Sequence, residues 1–213
     1  MTEKNLRNKM MLVSYFFIFL ITVSCFDLCK ADQYRVGLKA NQSAIGADFK
    51  YTTDTNLGIF TAGANVLMKV DDDRGDEYTI IRGNIIATRD PLLPGLRYGL
   101  GFEAIGGPVK NERRDLDEEL FAIGFLFHMG YNHEKGFLKI PADLNLDITA
   151  APDPLTANNM QLYLGARAGV EFGILNNACI TIDYRCMYAE FYENNSDWHM
   201  FDGIILVGYA IMF

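Results

Sequence analysis

The most regular feature of this sequence is an alternation of apolar and polar residues with a period of two. It is clearest in residues 138–149, where the two kinds of residue separate completely. One set of positions holds Leu138, Ile140, Ala142, Leu144, Leu146 and Ile148, and the other holds Lys139, Pro141, Asp143, Asn145, Asp147 and Thr149. Because successive side chains of a strand point to opposite faces, the pattern predicts a β-strand with one apolar and one polar face.

The same period continues along most of residues 33–213 and predicts ten strands. Their expected bounds are 33–42, 44–53, 57–70, 77–89, 96–107, 118–131, 137–150, 160–174, 178–192 and 200–213. The exceptions to strict alternation are Ile80, Ile81, Ile85 and Ile86, which put apolar groups on both faces of the fourth strand. Eight strands with an irregular start stay open as an alternative, because the connection near Gln42 and Ser43 is short.

The connections between the predicted strands alternate in length. The second, fourth, sixth and eighth connections cover 54–56, 90–95, 132–136 and 175–177, whereas the third, fifth, seventh and ninth lie around 71–76, 108–117, 151–159 and 193–199 and are mostly longer and more charged. Short turns on one rim and long loops on the other are typical of a closed, antiparallel, up-and-down transmembrane β-barrel, and so is an even strand number. A soluble sandwich or a lipocalin-like periplasmic binding barrel alternates equally well and is the structural alternative.

The last predicted strand has the most regular outward face. Its alternate positions are Phe201, Gly203, Ile205, Val207, Tyr209, Ile211 and Phe213. An alternating terminal strand that ends in Phe resembles the sorting signal of Gram-negative outer-membrane barrels, with Tyr209, Ile211 and Phe213 in the signal positions. The resemblance implies that the barrel-assembly machinery is a partner and that the cell outer membrane is the location. Aromatic girdles are expected from Tyr34, Tyr51, Tyr98, Tyr131, Tyr184, Tyr188 and Phe213.

Residues 1–31 have the layout of a secretory signal peptide. A basic start is followed by the apolar run 10–23 and by the small-residue exit Cys29-Lys30-Ala31. The apolar run is shorter than the roughly 20 residues that a spanning helix needs, so an uncleaved anchor is the weaker interpretation. Lipidation at Cys25 is a further alternative. The sequence therefore predicts a signal peptide over 1–31 and a barrel domain over 32–213.

Composition agrees with this division. The chain has 213 residues, 50% of them hydrophobic, yet its mean hydropathy is only +0.04. The apolar fraction excludes a disordered chain, and the net charge of −8 argues against a nucleic-acid partner. Alternation accounts for the low mean hydropathy if the apolar residues form a belt that faces lipid, not a core, and the polar residues fill the interior. In the barrel domain Cys179 and Cys186 are about 23 Å apart along one strand, too far for a disulfide.

Beyond this class, the chain resembles the YfaZ family of small outer-membrane proteins. The resemblance lies in Asn56-Leu57-Gly58 with the following strand and the acidic loop 71–76, and in Gly165-Ala166-Arg167 followed by Ile182-Asp183-Tyr184-Arg185. It covers most of residues 45–213, and the segment 90–136 departs from it most. The family implies an outer-membrane barrel but brings no chemistry, so it assigns no functional residues to this chain.

Candidate chemistry is sparse in the barrel domain. A lipid acyl hydrolase or transferase would need a hydroxyl, a histidine and an acid, and Ser196, Asp197 and His199 share one predicted loop. A polar loop contains such residues by default, so no catalytic residue and no cofactor are predicted. The carboxylates that could bind Ca²⁺ are Asp71, Asp72, Asp73 and Asp76, and they lack the spacing of a defined calcium loop.

Charged residues of both signs occupy the predicted inward positions. The basic ones are Arg35, Lys39, Lys50, Lys69, Arg82, Arg97, Lys139, Arg167 and Arg185, and the acidic ones are Asp48, Glu103, Asp143, Asp147, Glu171 and Asp183. In a narrow barrel these side chains are expected to pair across the interior and close any wide pore. A small gated channel stays open as an alternative, with the basic excess favouring anions. The predicted function is a monomeric outer-membrane barrel with a structural or narrow-channel, porin-like role.

Overall fold

Alternating residues form ten long antiparallel strands and one two-residue strand in the part of the chain that the computed structural model describes. The described residues are 33–56, 58–70, 76–89, 93–111, 116–136, 141–193 and 196–213. The strands are β1 (Gln33–Ala40), β2 (Ala44–Thr55), β3 (Gly58–Lys69), β4 (Asp76–Arg89), β5 (Leu96–Asn111), β6 (Leu116–Tyr131), β7 (Asp143–Pro152), β8 (Thr156–Ala157), β9 (Met160–Leu175), β10 (Ala178–Glu193) and β11 (Ser196–Met212). The predicted signal peptide, residues 1–31, lies outside the described residues.

The ten long strands close into a barrel. Each pairs with its neighbours in chain order, β9 follows β7 round the barrel, and β11 pairs with β1. The short strand β8 pairs with β6 beyond the end of β7. Two rims result: the terminal rim, where β1 begins at Gln33 and β11 leads to Phe213, and the far rim opposite it. The prediction of a closed antiparallel barrel with ten main strands is confirmed.

The strands are strongly tilted. The pairings lead from Gln33 once round the barrel to Asp202 on β11. On β11, Val207 lies opposite Ala40, so Asp202 lies level with a point five residues beyond Ala40 on the extended line of β1, at position 45. One circuit that started at position 33 therefore ends at position 45, and this offset of 12 residues is the shear of the barrel. A shear of 12 over ten strands of ordinary spacing corresponds to a tilt of about 40°, within the range of transmembrane barrels.

Burial alternates along the strands as the sequence pattern predicts. On β11 the outward residues from Phe201 to Phe213 are mostly exposed, and the inward ones, such as Asp202 and Leu206, are buried. The isoleucine pairs of β4 follow the same rule: Ile80 and Ile86 are buried inside, whereas Ile81 and Ile85 are exposed outside. Apolar residues at both parities therefore place apolar side chains inside the barrel as well as outside it.

Several strands run further than predicted, chiefly at the far rim. Strand β5 was expected to end at 107, but it continues to Asn111. Its pairing with β6 is unbroken there, and only the β4–β5 ladder is interrupted, between Tyr78 and Ile81. Proline cannot donate a ladder hydrogen bond, and one interrupted ladder accommodates Pro108.

The predicted contrast between short and long connections is wrong. At the far rim only residues 194–195 separate β10 from β11, whereas at the terminal rim residues 132–142 separate β6 from β7. Charged residues that were assigned to long loops instead continue the strands, as in the pairing of Lys110 with Asp117. No helix in the described ranges is long and apolar enough to cross a membrane.

Candidate functional site

The barrel interior is divided into three layers along its axis. Apolar side chains fill the end near the far rim, an ionic layer lies at mid-height, and a polar cavity lies at the terminal rim. The layers arise because each strand changes the chemistry of its inward positions along its length. On β10, for example, Phe191 and Met187 are followed by Arg185 and Asp183, and then by Cys179.

The apolar layer, here called the apolar plug, is built from every long strand except β1. Its members are Ala44, Leu67, Tyr78, Ile80, Ile105, Val109, Leu120, Ala122, Ala151, Met160, Tyr163, Met187, Ala189, Phe191, Met200, Ile204 and Leu206. Trp198 packs against it with its ring 4.5 Å from that of Phe191 and nearly parallel, at 8°. The expectation that the apolar residues form only an outward belt is therefore wrong: this end of the lumen has a packed core.

One ion pair lies inside the apolar plug. Lys69 Nζ is 2.7 Å from Asp202 Oδ1, and the Tyr78 hydroxyl donates to Asp202 Oδ2 at 2.6 Å. A buried carboxylate is costly unless its oxygens are bonded, and here both oxygens have donors. Asp202 was missing from the predicted inward charges, although its even position between the outward residues Phe201 and Gly203 was a usable signal.

The ionic layer is centred on Asp183, which is fully buried. Its Oδ2 is 2.5 Å from Lys39 Nζ, 3.0 Å from Arg167 Nη2 and 3.7 Å from Arg185 Nη2. Lys39 also reaches Asp48 at 2.7 Å. Three cations from three strands thus share one carboxylate, and Asp48 supplies a second negative charge.

Further polar groups extend this layer round the barrel. Arg185 Nη1 donates to Asn65 Oδ1 at 3.3 Å, and the Thr149 hydroxyl donates to Glu103 at 3.2 Å. Arg82 is buried in the same region and lines a void of about 10 Å³ with Arg167 and Arg185. Among the described residues, the void that these side chains leave at mid-height is therefore small.

The cavity at the terminal rim has a volume of about 660 Å³. Cationic and hydroxyl side chains line it on β1–β5: Arg35, Lys50, Thr52, Thr61, Thr88 and Arg97. Acidic, imidazole and amide side chains line it on β6–β9: His128, Asp143, Asn145 and Glu171. The cavity therefore has a donor-rich wall facing an acceptor-rich wall.

The carboxylates of the acceptor-rich wall are already bonded. Glu171 Oε1 accepts from Arg35 Nη1 at 2.7 Å and from Asn145 Nδ2 at 3.1 Å. Asp143 Oδ1 accepts from the His133 backbone N–H at 2.8 Å and lies 2.8 Å from His133 Nδ1. Further from the terminal rim, His128 Nδ1 lies 2.6 Å from Asp147 Oδ1.

The outer surface carries a belt of exposed apolar side chains, here called the apolar belt. Its most exposed members include Val36, Leu38, Ile45, Phe60, Ile85, Tyr98, Leu100, Phe102, Phe121, Phe125, Ile148, Leu164, Ile174, Phe201, Ile205, Val207 and Phe213. On β11 it covers ten residue steps from Phe201 to Ile211, which at about 40° tilt is about 25 Å of height. Outward charges in the described strands lie only at its edges, such as Glu77, Glu119 and Glu190 at the far rim and Arg89 at the terminal rim.

The predicted inward charges all lie on inward strand positions except Lys139, which is outside the described residues. The structure brings together Lys39, Asp48, Arg167, Asp183 and Arg185 at mid-height. It places Arg35, Lys50, Arg97, Asp143 and Glu171 round the cavity. Lys69 lies apart from these, in the apolar plug.

The predicted aromatic girdle and the predicted terminal signal both depend on residues that face outward. Tyr131 was expected in an outward girdle but is buried, because the segment after β6 folds back and the Gly136 backbone packs against its ring. In the terminal signal positions, Tyr209, Ile211 and Phe213 share the outward face of β11. Tyr209 and Phe213 are exposed.

The candidate catalytic and metal residues form no site in the described part of the chain. Asp71, Asp72 and Asp73 lie outside it, as do the side chains of Asp76, Ser196 and Asp197. The His199 ring stacks on Tyr188, with centroids 6.0 Å apart. Within the described residues no group of His, Cys, Asp and Glu has the arrangement of a metal site.

Comparison of the chain with models of known protein families finds no match. No curated protein matches it significantly either.

Proposed function

We propose that this chain is an integral outer-membrane β-barrel with a structural role and a closed lumen. The observation that carries the proposal is the apolar belt, which surrounds a closed sheet and has charges only at its edges. A continuous exposed apolar surface of this size is costly in water and favourable against lipid. A bilayer also requires that backbone N–H and C=O groups be hydrogen-bonded within the protein. The closed sheet meets this requirement, since every ladder hydrogen bond is made within the barrel.

The packed interior favours a structural role over an open pore. Inward side chains of the apolar plug, such as Tyr163, Phe191 and Leu206, have no exposed surface. Between the apolar plug and the terminal cavity, the ionic layer fills the cross-section of the lumen with paired charges. A water-filled path along the axis would require both layers to move, so a narrow-channel role needs a second conformation.

The role is tested by conductance. The refolded chain is reconstituted into lipid vesicles, checked for co-flotation with the lipid, and then transferred to planar bilayers beside an open porin as positive control. We expect the protein to float with the vesicles and to give no steady current, because the apolar plug excludes water. Reproducible current steps from the folded protein would contradict the closed lumen and favour the porin-like alternative.

Three further parts of the proposal rest on the sequence. The outward positions Tyr209, Ile211 and Phe213 would be read by the barrel-assembly machinery, and the barrel would function as a monomer. A relationship to the YfaZ family stays a prediction from the short motifs of β3, β9 and β10. A lipid-modifying enzyme is the opposing class, and it would be favoured by loss of a measured acyl transfer or hydrolysis on substitution of Ser196 or His199.

A further inference from the structure

The donor-rich wall of the terminal cavity contains two cations whose hydrogen-bonding capacity is only partly used. Arg35 on β1 and Lys50 on β2 are direct register partners, and both face inward. Like charges directly opposite each other on neighbouring strands repel, and part of this repulsion is offset by the ion pair of 2.7 Å between Arg35 and Glu171. Neighbouring Glu171 is shared between Arg35 and Asn145.

The Arg35 guanidinium has a free bidentate edge. Its Nη1 donates to Glu171, whereas its Nε and Nη2 are buried and have no hydrogen-bond partner among the described residues. Arg35 exposes only 7% of its surface. Nε and Nη2 lie side by side on one edge of the planar group, which matches the two oxygens of a carboxylate or phosphate. Leaving such donors unpaired costs free energy that a bound anion would recover.

Two flexible side chains flank Arg35 in the cavity wall. The register partners of Arg35 are Lys50 on one side and Met212 on the other, and both are long unbranched side chains that line the cavity. The cavity volume of about 660 Å³ is within the range of small-molecule sites. Beside the cations, Thr52, Thr61 and Thr88 add hydroxyl groups to the same wall.

We propose that the terminal cavity binds a small organic anion, whose carboxylate or phosphate group is held by Arg35 and Lys50. An anion is favoured over a cation because Asp143 and Glu171 already accept hydrogen bonds, whereas Nε and Nη2 of Arg35 have no partner among the described residues. The third carboxylate of the lining, Glu134, is exposed in the turn after β6. The ligand enters from the terminal rim, since the apolar plug closes the other end. The inference rests on the barrel fold and not on the membrane location.

The test is a calorimetric titration of the refolded chain in detergent micelles with inorganic phosphate and, separately, with succinate. We expect saturable binding of at least one of them, and no binding of choline, a cation of similar size. Binding of phosphate alone identifies a phosphate-type ligand, and binding of succinate alone identifies a carboxylate. Because the work is done in micelles, the result does not depend on where the protein resides in the cell.

Two lysine variants assign the site. Lys50→Met is expected to weaken binding about tenfold or more, since a charge-assisted contact is lost. Lys110→Met is the matched control: Lys110 lies at the far rim, half-exposed, 3.4 Å from Asp117. If Lys50→Met does not fold, as judged by heat-modifiable electrophoretic mobility, Lys50→Gln takes its place. No saturable binding of either anion, or equal weakening in both lysine variants, would overturn the proposal.

Discussion

At the scale of single residues, Asp183 is the centre of the ionic layer, because Lys39, Arg167 and Arg185 all contact it. The sequence could predict that these residues face inward, since strand parity fixes the face of every side chain. It could not predict which cation meets which carboxylate. Which cation meets which carboxylate depends on the shear of the barrel. The register of all the strands together decides which inward side chains lie at the same height in the lumen.

Replacement of Asp183 by Asn should therefore destabilise the barrel strongly. Removing one partner of a buried pair leaves its cations uncompensated, and we expect the free energy of unfolding to fall by about 3–5 kcal/mol. The control is Asp117→Asn, which breaks the exposed pair with Lys110 and should cost less than about 1 kcal/mol. Denaturant unfolding, followed by fluorescence of the single tryptophan, Trp198, measures both. Equal losses in the two variants would show that the ionic layer does not stabilise the fold.

At the scale of strands, the alternation with a period of two decides where strands form. The kind of residue on each face of a strand decides whether that face packs against the lumen or lies on the outer surface. The apolar belt was predictable because nearly every strand has one uniformly apolar face. The apolar plug was not, since inward apolar residues such as Ile105 and Leu206 are interspersed with charges on the same strands. These residues form one cluster at one end of the lumen because the shear of the barrel places them at the same height. Strand ends were the least predictable, because charged residues such as Lys110 and Asp117 continue the ladder beyond the belt.

A positive charge in the apolar belt should be costly at mid-height and tolerated at its edge. Val207 lies midway between Phe201 and Phe213 on the outward face of β11, and Val70 follows the last residue of β3 at the far rim; their exposed fractions are 53% and 64%. In lipid, we expect Val207→Arg to lower the free energy of unfolding by about 2–4 kcal/mol and Val70→Arg by at most about 1 kcal/mol.

The measurement for this pair is reversible unfolding from lipid vesicles. The two valines have similar size and exposure, so a difference between the variants reports depth in the bilayer and not the loss of side-chain packing. A soluble barrel would tolerate arginine equally well at both sites. Equal and small effects would thus argue that the belt does not face lipid.

At the scale of the whole molecule, the barrel is asymmetric along its axis. The interior is packed at the far rim and hollow at the terminal rim, while the outer surface is apolar over most of its height. The closed sheet and its two faces could be predicted from the alternation of apolar and polar residues. The terminal cavity required three-dimensional information, because its walls come from strands that are far apart in the chain, such as Lys50 on β2 and Glu171 on β9.

The central claim is that the apolar belt is embedded in the outer membrane, and fractionation of cells that express the chain tests it most directly. We predict that the full-length protein sediments with the outer membrane and resists extraction by urea, whereas deletion of Phe213 lowers the amount that reaches this membrane. A control variant, His199→Ala, changes an outward residue of β11 beyond the belt and should fractionate as the parent does. Recovery of the full-length protein in the soluble periplasmic fraction would contradict the account.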